Sequence, residues 1–104
     1  MISIEISKDN GSIKEISFKG HALYDDYGKD IVCAAVSSIL ITTVNGILRL
    51  DSKALKVYED SETKVSIINS TKIVNTLINN MIDLLTELEK KYKKNIKIKY
   101  KEVS

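Results

Sequence analysis

Ile2, Ile4 and Ile6 alternate with Ser3, Glu5 and Ser7, the period of two that marks a strand with one wet face. The turn Asp9-Asn10-Gly11-Ser12 follows, and its asparagine-glycine pair supplies positive φ at little cost. Ile13 to Lys19 returns as a second strand with Ile16 and Phe18 on one face, so a hairpin is predicted. From Ile31 to about Leu50 the apolar residues, among them Val36, Ile39, Leu40, Val44, Ile47 and Leu48, recur at helical spacing with no proline. Asp30 stands at the N-cap position, and Asp51-Ser52-Lys53 ends the helix without a glycine or proline stop. Gly46 interrupts it and reads as room for close packing. Leu55 and Val57 then alternate with Lys56 and Tyr58, a polar turn runs from Glu59 to Thr63, and Val65 to Asn69 completes a second hairpin. Ser70 or Thr71 caps a second helix to about Tyr92. Its stripe, from Ile73 and Val74 through Met81 to Leu88, is wide enough for a core face with some surface left for a partner. Ile96, Ile98 and Tyr100 alternate with Lys97, Lys99 and Lys101 in a closing strand. The order is ββαββαβ, which predicts an α+β fold with a small, mostly antiparallel sheet packed by two helices, in one domain over residues 1–104.

Composition narrows the possibilities. At 104 residues the chain can bury one modest core, near the size at which oligomers add stability. A net charge of +2 argues against a whole-surface nucleic-acid binder. The seven lysines between positions 90 and 101 read as a solvated edge protected by charge, which argues against direct RNA binding. A ribosome- or RNA-associated binding module using that lysine-rich end is the alternative function. One cysteine rules out an intramolecular disulfide and leaves a thiol redox protein without a resolving thiol. The start of the chain lacks the basic and long apolar regions of a signal peptide. Serine, threonine and asparagine interrupt the longest apolar run before it reaches the ~20 residues of a membrane span. The expectation is a cytoplasmic protein with no membrane partner. One cysteine and one histidine also fall short of a structural zinc site, so neither metal nor cofactor is expected.

The chemistry-bearing residues crowd into the segment from Gly20 to Ser38, which holds the only histidine and the only cysteine. If Asp30 caps the helix, Cys33 lies in the first turn, where free amides and the positive end of the macrodipole favour thiolate over thiol. Asp30, Cys33 and Ser37 stand at i, i+3 and i+7 and share one stripe, leaving Ile31, Val32, Ala35, Val36, Ile39 and Leu40 to be buried on the other sides. The loop from Ala22 to Lys29 is short enough to fold His21 over the helix start. Gly20 and Gly28 bracket two tyrosines and two acids and read as hinges of a lid, with Asp25 and Asp26 placed to attract a basic peptide. A cysteine beside a histidine base is the arrangement for nucleophilic catalysis. On spacing alone, a lone cysteine in an apolar helix is more often a small buried hydrophobe.

Gly20-His21-Ala22, followed after a short loop by Gly28-Lys29-Asp30-Ile31-Val32-Cys33-Ala34-Ala35-Val36-Ser37, resembles the signature of the ribosomal-processing cysteine protease family, Prp. Chain length and element order fit the resemblance as well. It implies a cysteine endopeptidase that removes the N-terminal extension of a large-subunit ribosomal protein, acting as a homodimer. The implied catalytic pair is Cys33 as nucleophile and His21 as general base. The amides of the first helical turn are then candidate donors to the oxyanion. Asp30 would serve as cap or orienter of His21, and Ser37 as a partner for the thiol or for Asp30.

Overall fold

A computed structural model of the chain describes residues 1–26 and 29–103. Two hairpins, β1 (Ile2–Asp9) with β2 (Ser12–Lys19) and β3 (Leu55–Glu59) with β4 (Thr63–Ile67), contribute four strands to one sheet. Helices α1 (Ile31–Leu50) and α2 (Lys72–Lys91) precede the second hairpin and the closing strand β5 (Ile96–Glu102) respectively. The sheet order is β3-β4-β2-β1-β5. Three of its neighbouring pairs are antiparallel, and β1 runs parallel to β5. Both helices cover one sheet face, giving the two-layer α+β arrangement that the alternation of elements predicts.

The period of two along β1 buries Ile2, Ile4 and Ile6 and leaves Ser3 and Glu5 in water. Opposite them, Phe18 pairs with Ile4 and Ile16 with Ile6. Ile13 and Ile16 are three residues apart, which in a regular strand would send them to opposite faces. The register instead shifts so that Ser7 pairs with Glu15 and Lys8 with Ile13, leaving Lys14 as the extra residue of a bulge. That bulge returns Ile13 to the core side, where it is buried.

Val32, Val36, Val44 and Ile47 form the buried stripe of α1, and Val74, Ile78, Met81, Ile82 and Leu85 that of α2. Ile31, expected inside, is 56% exposed. It lies a quarter-turn and more away from the Val32–Val36 stripe, on the side facing water. Ile41 and Ile73 are also exposed, so each helix carries apolar surface beyond what the core uses. The expectation that no segment approaches a membrane span is corrected too. By length and composition α1 is apolar enough to be one, although four of its residues are committed to the core.

Candidate active site

Two parts of the fold hold the side chains of the site, the start of α1 and the loop that follows β2. Cys33 lies in the first turn of α1, half-buried and unpaired. Asp30 is the N-cap, as its place in the sequence predicts: one carboxylate oxygen accepts the Val32 and Cys33 amides, each at 3.0 Å. The second oxygen turns to the loop. It accepts the Tyr24 amide at 2.9 Å and, more loosely, the Asp25 amide at 3.4 Å. One carboxylate therefore fastens the segment after His21 to the helix that carries Cys33.

β2 delivers His21 through Gly20, which has φ +88°, a conformation open to glycine and strained for other residues. The Met1 carbonyl also stands where a Cβ would be placed. Backbone geometry accounts for Gly20, the first of the two residues read as hinges. Gly28, the second, lies outside the described residues. Leu23 also has positive φ, at 57°, and projects its side chain into solvent. Between them the buried Ala22 donates its amide N–H to Cys33 Sγ at 3.3 Å. The loop does fold back over the helix start, and the contact that seals it is made by the residue next to His21.

An open groove of about 680 Å³ is lined by His21, Cys33, Asp30, Ser37, Gly20 and Asp25, with Phe18, Leu23, Val36 and Leu40 as its apolar walls. Ser37, exposed one turn beyond Cys33, completes the stripe predicted by spacing. Among the described residues, the hydrogen bonds of the thiol and of the Asp30 carboxylate run to backbone amides, not to Ser37 or the imidazole. The oxyanion expectation is altered by the same contacts. The Val32 and Cys33 amides are spent on the Asp30 side chain, and the Ala34 amide donates to the Asp30 carbonyl at 3.1 Å. Ala22 N–H is the amide aimed at the sulfur.

Two further residues belong to the site that the sequence reading passed over. Asn95 Nδ2 donates to the Ala22 carbonyl at 2.8 Å, and the Tyr92 ring meets Tyr24 edge-on at 5.4 Å. Both sit in the corner between α2 and β5, far along the chain from His21. Periodicity carries no trace of such a contact.

Burial pushes the Asp30 carboxyl up, but the amides of Cys33, Tyr24, Asp25 and Val32 outweigh it and hold the group below its ordinary value of 3.8. The folded state thus binds protons less readily than the unfolded chain. Its contribution to stability is complete above the ordinary value and is lost as pH falls through the lowered one. Asp30→Asn is expected to melt below wild type at neutral pH, with the gap closing as pH drops below 3.8. Thermal melts across that range check the sign. Asp30→Ala, which frees all four amides, should melt lower than Asp30→Asn at neutral pH and cut turnover by about tenfold or more through misplacement of the loop.

A first-turn thiol and an imidazole share one groove in a small α+β domain, the arrangement that thiol-dependent hydrolases use. Comparison with known proteins agrees. The family profile for cysteine protease Prp matches residues 1–97, and the chain belongs to that family of cysteine proteases. The ribosomal processing cysteine protease Prp of two Staphylococcus aureus strains is 31% identical over 106 residues, spanning 97% of this chain and all of the relative. The crystal structure of S. aureus Prp with a covalently linked product peptide superposes with a TM-score of 0.91 at 29% identity, covering 97% of this chain and 100% of that one. S. aureus Prp with a substrate peptide gives 0.85 at 26% identity, again over 97% and 100%. A Streptococcus mutans protein shares the fold, with a TM-score of 0.85 at 24% identity over 99% of this chain and 96% of its own.

Proposed function

We propose that this cysteine protease is an endopeptidase that removes the N-terminal extension of a large-subunit ribosomal protein during ribosome assembly, with Cys33 as nucleophile and His21 as general base. The observation that carries the reading is the shared groove. The thiol sits at a helix start, the imidazole is on the facing loop, and the Ala22 amide lies against the sulfur. The names of the S. aureus relatives support the ribosomal substrate.

In the first step His21 takes the thiol proton and Sγ bonds to the scissile carbonyl carbon, placing the carbonyl electron pair on oxygen. Ala22 N–H, already directed at the sulfur, is the donor we assign to that oxyanion. Collapse of the intermediate breaks the C–N bond. The amine leaves with the proton from His21, and an acyl group remains on Cys33 as a thioester. Water, giving a proton to His21, attacks the thioester and releases the acid product with the thiol restored. Asp30 works through the backbone of the loop, and Ser37 lines the peptide's path. The apolar walls suit apolar side chains beside the scissile bond, while Asp25 supplies an acidic rim. A cytoplasmic location and a homodimer complete the reading, the exposed Ile31, Ile41 and Ile73 providing apolar surface for a second copy.

The test is to incubate the protein with a peptide spanning the extended N-terminus of the host's own large-subunit ribosomal protein and weigh the products. One cut at a single bond is expected. An intact peptide would sink the reading and leave the lysine-rich binding module, which predicts salt-dependent RNA binding that survives Cys33→Ala. Sedimentation equilibrium reads the dimer.

A further inference from the structure

We propose that the corner joining α2 to β5 is the positioning device of the catalytic loop, with Asn95 as its working residue. The inference rests on the assignment of His21 and Cys33 to catalysis. Asn95 is itself fixed on a rigid backbone. Its N–H donates to the Tyr92 carbonyl at 2.9 Å, and its carbonyl accepts the Ile2 amide at 2.8 Å, locking the corner to the start of β1. From that anchor the side chain reaches the Ala22 carbonyl at 2.8 Å. The partner is a carbonyl, which only accepts, so the contact requires the amide N–H.

The Ala22 peptide units are thereby gripped on two sides. Asn95 holds the carbonyl, and Cys33 Sγ holds the N–H at 3.3 Å. His21 precedes this clamped residue directly. A few residues on, Tyr92 packs against Tyr24, whose amide is held by Asp30. Loss of the Asn95 donor would leave the Ala22 carbonyl unpaired in a partly buried place, and the loop would shift to find water. The displacement would move His21 and the Ala22 amide away from the sulfur together. Asn95 does not line the groove, and its side chain bonds the Ala22 carbonyl instead of the thiol, so it positions and does not catalyse.

Asn95→Asp separates this role from packing, because it keeps size and shape but replaces the donor with an acceptor facing another acceptor. Three readouts are taken: steady-state peptide cleavage, the pH profile of Cys33 alkylation by iodoacetamide, and hydrogen exchange of residues 20–26. The expected result is about a tenfold fall in kcat with KM within about twofold, since placement and not peptide binding is lost. Exchange in residues 20–26 rises, α1 and the sheet stay as protected as in wild type, and the alkylation profile shifts. Asn95→Ala repeats the loss. Unchanged kcat and unchanged loop exchange overturn the proposal, as does exchange raised throughout the sheet, which would make Asn95 a general stability residue. If wild type itself cuts no peptide, the proteolytic reading falls separately. Exchange and alkylation then decide the grip: an altered loop and profile in Asn95→Asp uphold it, and wild-type values for both refute it.

Discussion

Cys33→Ala is expected to abolish cleavage of the ribosomal-protein peptide, a fall of about 10⁴-fold or more, because without sulfur no thioester forms and nothing in the groove replaces it. The variant should remain folded. Cys33 is only half-buried, and the substitution removes one sulfur atom at the margin of the core. His21→Ala should cost about 10²–10⁴-fold, the usual worth of a positioned base, and should leave a slow residual cut that strengthens as pH rises and supplies thiolate directly. Mass spectrometry of timed digests, with circular dichroism of each variant, measures both. Cleavage by Cys33→Ala at a tenth of the wild-type rate would remove the cysteine from the chemistry.

Gly20→Ala is expected to carry the largest stability loss among substitutions of the described glycines and to silence the site with it. Two costs add at this position. Positive φ strains any side chain, and the new Cβ would meet the Met1 carbonyl, which belongs to the backbone and cannot swing aside. Together they should amount to about 2 kcal/mol or more, roughly 10 °C of melting temperature in a domain of this size. Gly11 separates the two costs: its φ is +82°, but nothing lies within 4 Å of where a methyl would stand, so Gly11→Ala bears the strain without the clash. Gly46 has open space and sits within α1. It does not serve close packing, and Gly46→Ala should stabilise by about 0.5–1 kcal/mol. Thermal melts should rank Gly46→Ala above wild type, then Gly11→Ala, then Gly20→Ala. A Gly20→Ala protein as stable as Gly11→Ala would mean that the Met1 carbonyl yields.

The elements were legible because each obeys a local rule. Isoleucines at every second residue made β1, aspartate before an apolar run made the N-cap of α1, and Thr71 does the same for α2. The line of Asp30, Cys33 and Ser37 followed from helical geometry and survives in the groove. What stayed hidden depends on partners distant in the chain. The bulge at Lys14 shows only when β2 is registered against β1. The destination of the first-turn amides was open until both Asp30 oxygens were placed. Asn95, in a run of lysines, carried no pattern at all, since its significance comes from a carbonyl 73 residues away.

The parallel pairing of β1 with β5 sets a condition on how an active molecule comes into being. β1 lies between β2 and β5, so the strand made first keeps an open flank until residues 96–102 arrive. Ile2 and the histidine loop are likewise tethered to Asn95, at the threshold of that strand. A chain still emerging from its own ribosome has the thiol and the imidazole but not the clasp that aligns them. With Asn95 as the proposed clasp, full cleavage activity is expected only once residues 95–102 have been made and β5 has joined the sheet.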